Sequence, residues 1–413
     1  MTITAIERDG IGREAGAPAA AAPGNFERLA VQPADALLAL IGAYRRDPRP
    51  GKLDLGVGVY RDAAGATPVL RAVKAAEHRL LETQTTKAYL GPEGDIGFFE
   101  RLTPVVFAAA PPGDRLSGLQ TPGGTGALRL AAELLARANP EAHILVGTPT
   151  WPNHLPIFAA ARLPATTYDY FDIAAQSVRF DEMMATFAGA RRGDIVLLQG
   201  CCHNPLGADL DMPQWAAVAD VVAKNGLLPL VDLAYQGLGD GLEADAAGLR
   251  LVLAAADEAL VAYSCDKNFG LYRERTGALF AVSASAATAG VVQSNLLALA
   301  RANWSMPPDH GAALVRLILE DDALTADWQA ELAGMQARIV DVRQRLAATA
   351  PRLAPLAAQK GMFSTLPLSP AQVRELREGH CIYMAGSGRI NVAGLTPDTV
   401  APFAAAFDAV TAA

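Results

Sequence analysis

"ALVAYSCDKNFGLYRER", residues 259–275, carries an apolar run straight into a lysine, with Arg273 and Arg275 close behind. The run reads as buried strand, so Lys267 arrives where an ammonium group is expensive. A lysine in such a place shifts its pKa or bonds covalently. The plainer reading is a lysine just past a strand end with its head in water, since lysine is rarely fully buried. The surrounding chain has to choose between them.

Similar runs flank this one. "HILVGTP", "DIVLLQG", "LLPLVDLAYQG" and "TGALFAVS" alternate with amphipathic stretches such as "GTGALRLAAELLARA" and "MPQWAAVADVVAKNG". Continuous apolar strands separated by helices predict an α/β fold, a mostly parallel sheet with helices on both faces. The pattern fills roughly residues 68–300. Beyond it, "DWQAELAGMQARIVDVRQRLAATAP" places Leu332, Met335, Ile339, Val342 and Leu346 at helical spacing. "GMFSTL", "CIYMAG" and "GRINVAGL" then read as short strands of a smaller α+β unit. The expected organisation is a flexible arm over 1–24, a small-domain segment over 25–67, a large domain over 68–330 and the rest of the small domain over 331–413. A chain of 413 residues exceeds the usual single core, which supports two domains.

Composition narrows the function classes. Hydrophobic residues form 51% of the chain and charged residues 19%, a globular mixture. A formal net charge of −8, with no basic run, argues against nucleic-acid and anionic-membrane partners. The first 24 residues lack a basic start followed by an apolar core, so no secretory signal is expected. Residues 278–300 carry no charge, but Gly290 and several polar residues favour a strand followed by a helix over a membrane span. Cys201, Cys202, Cys265 and Cys381 show neither zinc spacing nor disulfide density, which points to the cytoplasm. Successive strand residues face opposite ways, so Cys201, Cys202 and His203 should not converge on one ion, and no metal is expected.

Ligands of open parallel sheets sit beyond the carboxyl ends of the strands. The residues there are Gly147–Trp151, Asn204, Asp232 with Tyr235, and Ser264 with Lys267. This set meets the needs of pyridoxal 5'-phosphate, the aldehyde cofactor that forms an imine with a lysine. Asp232 could keep a pyridine nitrogen protonated, Asn204 and Tyr235 could donate to the ring oxygen, and Trp151 could cover a ring face. Gly124 and Thr125 of "TPGGTGALRL" offer a helix N-terminus, and Arg275 a guanidinium, to the phosphate. Singly, each residue is more readily a turn, a cap or ordinary packing. Their order on one sheet edge is what carries the reading.

The stretches "LGVGVYRD", "TTKAYLGPEG", "TPGGTGALR", "TWPNHLPIF", "GCCHNPLG", "VDLAYQGL", "KNFGLYRERTGA", "RANWSMPPDHGA" and "SGRINVAGLTPD" occur in this order. In them the chain resembles the class I aspartate and aromatic-amino-acid aminotransferases, fold-type I pyridoxal-phosphate enzymes, from about residue 25 onward. The resemblance implies that Lys267 carries the cofactor and moves a proton. It gives Asp232, backed by His154, the pyridine nitrogen, and gives Asn204 and Tyr235 the ring oxygen. Gly124, Thr125, Ser264 and Arg275 would bind phosphate, helped by Tyr89 of a second subunit. Arg389 and the Gly58 N–H would hold the substrate α-carboxylate, with Trp151 and Asn204 beside it. Arg301 of the neighbouring subunit would meet a distal carboxylate. A homodimer with shared active sites follows from the same resemblance.

There are departures. Asp266 stands where many relatives carry serine, bringing an anion toward the expected phosphate. Leu206 replaces a threonine, Gln199 a frequent histidine, Trp304 a tyrosine, Met306 an asparagine or serine, and Ala88 an asparagine. The apolar residues at 88 and 306 favour an enzyme acting on aromatic amino acids as well as aspartate and glutamate, with 2-oxoglutarate or oxaloacetate as acceptor. Val59, Thr67 and Thr125 support the alternative, a strict aspartate aminotransferase. Retention of Lys267, Asp232, Arg275 and Arg389 together speaks against a catalytically inert binding protein.

Overall fold

The computed structural model describes residues 24–32, 36–109 and 111–412. The arm expected over 1–24 therefore lies outside the described residues except for Gly24. The centre is a seven-stranded sheet. Its strands are β1 (Leu116–Pro122), β2 (Ile144–Thr148), β3 (Ala165–Asp169), β4 (Ile195–Gln199), β5 (Leu228–Leu233), β6 (Ala259–Ser264) and β7 (Thr276–Val282). They lie in the order β1-β7-β6-β5-β4-β2-β3. All neighbours pair in parallel except β7, which runs antiparallel to both β1 and β6.

The five apolar runs read from sequence all form strands of this sheet. The two strands not anticipated, β1 and β3, are its edges. "LSGLQTP" mixes glycine and polar residues, and "ATTYD" is largely exposed, so neither shows a continuous apolar run. Inside the sheet, alternate side chains feed two separate cores. Val231, Leu233, Val261, Tyr263, Ala278 and Phe280 face one cluster, while Leu230, Leu260, Ala262, Leu279 and Ala281 face the other. Burial on both faces is why these strands are apolar throughout instead of alternating.

The helices follow their sequence signals. The helix Met212–Asn225 opens on a reciprocal capping box between Asp211 and Gln214 and stops at Gly226, whose φ is 61°. The charge-free stretch divides into β7 and the helix Ala286–Asn303. The long helix is a single element, Asp322–Thr349. Its Leu332, Met335 and Ile339 pack into the core of the sheet, whereas Val342 and Leu346 join a third cluster containing Leu55, Ile390 and Phe403. A boundary at 330/331 thus falls within a continuous helix that serves both cores.

The small unit pairs Leu53–Asp54 in parallel with Ile382–Tyr383, and Phe363–Thr365 antiparallel with Arg389–Asn391. Arg343, fully buried on the long helix, was not anticipated. Its guanidinium donates to the carbonyls of Leu356, Lys360, Gly361 and Phe363 and to the Ser364 hydroxyl. Burial lowers its pKa to about 10. A ring of carbonyls satisfies this cation without a carboxylate and fixes the strand beginning at Phe363.

Two glycines separate packing from propensity. A Cβ on Gly277 would lie 2.4 Å from the Tyr263 carbonyl oxygen and 2.6 Å from the Gly123 carbonyl carbon, both backbone atoms. Gly277→Ala should therefore cost roughly 1–3 kcal/mol or more, as overpacking does. Gly290, mid-helix, has nothing within 4 Å of its Cβ position, and Gly290→Ala should stabilise by about 0.5–1 kcal/mol. Thermal melts of the two variants should move in opposite directions. A Gly277→Ala protein as stable as wild type would contradict the close approach.

Candidate active site

The antiparallel β7 brings Arg275 to the same edge that the parallel strands reach with their carboxyl ends. Thr276 pairs with Pro122, and Gly277 with Ser264, so the end of β1, the start of β7 and the end of β6 meet. Beyond β1 the helix Gly123–Ala138 begins without a side-chain cap, leaving its first N–H groups for an anion. A Cβ on Gly123 would lie 2.6 Å from Arg275 Nη2, and one on Gly124 would lie 3.1 Å from Ser264 Cβ. Only glycines leave this concavity open beneath a guanidinium and a hydroxyl. Arg275 itself takes φ 54°, an uncommon backbone state for a side chain of its size. Thr125 occupies the first turn of the same helix.

Lys267 follows directly. Its side chain is 19% exposed, and Nζ lies 3.9 Å from Asp266 Oδ2 and 5.3 Å from the centre of the Tyr235 ring. Burial pulls its pKa below the ordinary lysine value, against the opposing pull of Asp266 and Asp232. The plainer sequence reading, a lysine head freely in water, does not hold. The loop after it is pinned: Trp328 of the long helix donates its indole N–H to Asn268 O at 2.8 Å and stacks on Phe269 at 4.3 Å.

Asp232, next to last in β5, lies beside His154, Oδ2 to Nε2 3.0 Å. An ionised carboxylate can only accept, so Nε2–H donates, and Nδ1 is left to accept from the Thr150 hydroxyl at 2.7 Å. Trp151 meets the His154 ring edge-on at 5.3 Å. Asn204 Nδ2 lies 3.3 Å from Tyr235 Oη, while Asn204 Oδ1 is buried without a hydrogen-bond partner among the described residues. Burial raises the Tyr235 pKa, so its phenol stays a donor. Gln199 grips the Asn204 backbone through both N–H and carbonyl, at 2.8 and 3.0 Å.

Across from Tyr235 stands the small unit. Arg389 lies over the Phe363 ring at 4.7 Å, and Phe363 meets Tyr235 edge-on at 6.0 Å. A Cβ on Gly58 would come within 2.9 Å of Phe363 Cζ. Arg389 donates to Gly56 O at 2.9 Å, yet its Nε is buried with no partner among the described residues. Phe363 links the two halves and was not singled out from sequence, although it sits inside the quoted "GMFSTL". Gly123 was likewise passed over for its neighbour.

Lys267, Asp232, Tyr235, Asn204, Ser264, Arg275, Gly124, Thr125, Trp151, Arg389 and Gly58 therefore occupy one region. Tyr89 and Arg301 do not join its hydrogen bonds: Tyr89 is 94% exposed, and Arg301 donates to Ser305 Oγ at 2.6 Å. Cys201 and Cys202 come together with Asp245, not with His203, their ligand atoms within 4.8 Å of one another. That carboxylate already accepts from the N–H groups of Gly237, Gly239 and Asp240; the hydrogen bond between the two thiols, with burial, keeps Cys201 protonated, and burial keeps Cys202 so. His203 instead stacks on Tyr170 at 4.7 Å, its pKa lowered by burial to about 3.

The concavity between Gly123, Gly124, Ser264 and Arg275, the donor phenol of Tyr235 and the amine of Lys267 fit a phosphorylated aldehyde. They also predict a pH signature. With its pKa lowered, folded Lys267 binds fewer protons than unfolded lysine up to the usual value of about 10.4. Stability then rises with pH across that window. Cofactor-free Lys267→Met should be more stable than cofactor-free wild type at neutral pH, the gap closing toward about pH 10.4. Urea titrations between neutral and alkaline pH measure it. A gap independent of pH would contradict the buried amine.

Residues 50–407 match the family described as "Aminotransferase class I and II". The chain is 56% identical to a tyrosine aminotransferase of Rhizobium meliloti over 386 residues, 92% of this chain and 99% of that one. It is 44% identical to an aspartate aminotransferase of Escherichia coli, covering 93% of this chain and 100% of that one. An aromatic-amino-acid aminotransferase from Burkholderia pseudomallei, solved covalently bound to pyridoxal phosphate, superposes with a TM-score of 0.91 at 39% identity, covering 94% of this chain and 100% of that one. With the family match running over residues 50–407, Lys267 among them, the chain belongs to the class I and II aminotransferases.

Proposed function

We propose that the chain is a pyridoxal-phosphate-dependent aminotransferase acting on aromatic amino acids as well as aspartate and glutamate. The acceptor is a 2-oxo acid such as 2-oxoglutarate or oxaloacetate. The observation that carries this is the desolvated Lys267 amine beside Asp232 and the glycine-lined concavity at Arg275. Bound pyridoxal phosphate supplies an electron sink and a carrier for the amino group. Lys267 Nζ would hold it covalently and, once the substrate amine has displaced it, would move the proton of the substrate Cα. Asp232, oriented by His154, keeps the pyridine nitrogen protonated, while Asn204 and Tyr235 donate to the ring oxygen. Trp151 covers one ring face. Gly124, Thr125, Ser264 and Arg275 hold the phosphate.

Arg389 and the Gly58 N–H grip the substrate α-carboxylate, and the partnerless Nε of Arg389 supports this role. The division into a large domain, 68–330, and a small one built from 25–67 and 331–413 fits a cleft between Lys267 and Arg389. Exposed Tyr89 and Arg301 suit a homodimer in which each subunit completes the other's site, Tyr89 toward phosphate and Arg301 toward a distal carboxylate. Four unpaired cysteines favour a reducing, cytoplasmic compartment.

The breadth of substrate rests on the rim. Met306 lies against the chain after Ala88, its sulfur accepting from Leu90 N–H at 3.1 Å, so the wall near Tyr89 is apolar. An aromatic ring gains by burial there, whereas a distal carboxylate needs Arg301. A charge-assisted contact contributes roughly 1.5–3 kcal/mol. Arg301→Ala should therefore lower kcat/KM for aspartate about tenfold to a hundredfold, at about 1.4 kcal/mol per decade, and spare phenylalanine. Steady-state assays with aspartate, tyrosine and phenylalanine against 2-oxoglutarate decide it. Wild-type turnover of aspartate alone would leave the strict aspartate enzyme, and equal losses for both classes would remove Arg301 from substrate choice.

A further inference from the structure

The guanidinium that lines the phosphate concavity already has an anion. Asp266, with a side chain 7% exposed, forms a very short ion pair with Arg275 through Oδ2. The same oxygen lies 3.9 Å from Lys267 Nζ, and the Asp266 N–H donates to Ser264 Oγ at 3.2 Å. Its other oxygen, Oδ1, is buried with no hydrogen-bond partner among the described residues. Asp266 thus reaches Arg275, Lys267 and Ser264 together, three residues that the proposed function gives to the cofactor.

A phosphate monoester carries about −1.5 to −2 charge at neutral pH, and beside a buried carboxylate it meets like-charge repulsion and a desolvation cost. Arg275 can offset one negative charge, not both. Lys267 does not repair the deficit, because its amine is consumed when it bonds the cofactor. We propose that Asp266 sets the affinity for the cofactor phosphate. It holds Arg275 in the cofactor-free protein, the phosphate must share or displace it, and pyridoxal phosphate is consequently bound weakly and exchanges readily. This rests on Arg275 being the arginine that the phosphate meets.

The test is equilibrium binding, read from the absorbance of the lysine-bound cofactor, with cofactor-free wild type, Asp266→Asn and Asp266→Ser. Asparagine keeps the shape and removes the charge, and serine covers the case in which the amide misfolds; melts of the cofactor-free proteins check the fold. Removing one buried like charge should lower the Kd for pyridoxal phosphate about tenfold or more. Pyridoxal, which has no phosphate, should tighten much less than pyridoxal phosphate: losing the Asp266 charge frees the Lys267 amine for either aldehyde but relieves repulsion only for the phosphate. Unchanged or weaker binding of pyridoxal phosphate in both variants would overturn the proposal, as would equal tightening of pyridoxal. Arg275→Gln separates the two levels. If it weakens pyridoxal phosphate while the Asp266 variants do nothing, the Asp266 proposal alone fails. If it changes nothing, the phosphate assignment of Arg275 fails, and the proposal with it.

Discussion

Keeping one lysine amine out of water at the edge of a sheet is the constraint on which the rest of the structure turns. Desolvation pushes Lys267 toward the neutral form, while Asp266 and Asp232 pull it back toward the charged one. The balance needs a rigid floor, because a lysine free to swing would simply hydrate. Strand β6 is buried along its whole length, and Trp328 clamps the following loop to the long helix. The antiparallel turn of β7 then returns Arg275 to the same edge, where glycines 123 and 124 leave room that any side chain would fill.

The second half of the site comes from elsewhere in the chain. Arg389 and Gly58 meet at Phe363, and Phe363 meets Tyr235. What holds Phe363 is the buried Arg343, which ties its strand to the long helix through backbone carbonyls. That helix contributes to the core of the sheet with one part and to the small core with the other. The position of Arg389 is therefore tied to the long helix that also anchors the lysine loop.

Much of this was legible in the sequence, for identifiable reasons. Interior strands buried on both faces are apolar throughout, so five of them stood out, and the residues just past their ends proved to be neighbours. The edge strands β1 and β3 did not, because glycine, threonine and exposure break the run. Arg343 was invisible for a related reason: a charge on a hydrophobic stripe reads as a solvated gap, and only the tertiary fold brings the carbonyls that satisfy it. Phe363 acts through contacts with Tyr235, Arg389 and Gly58, distant in the chain, which no local pattern encodes. The ion pair between Asp266 and Arg275 spans nine residues across a loop, and a linear reading gave the presence of the anion without its partner.

The measurement that bears most directly on the central claim is chemical. Pyridoxal phosphate is added to the protein, the adduct is reduced with borohydride, and the labelled peptide is mapped. The desolvated amine should take the label, fixing the cofactor on Lys267 alone. Lys360, bound to Asp240 at 2.5 Å with its pKa raised, and Lys224 on a helix surface should stay unlabelled. Label on either of those, or none at all, would contradict the account.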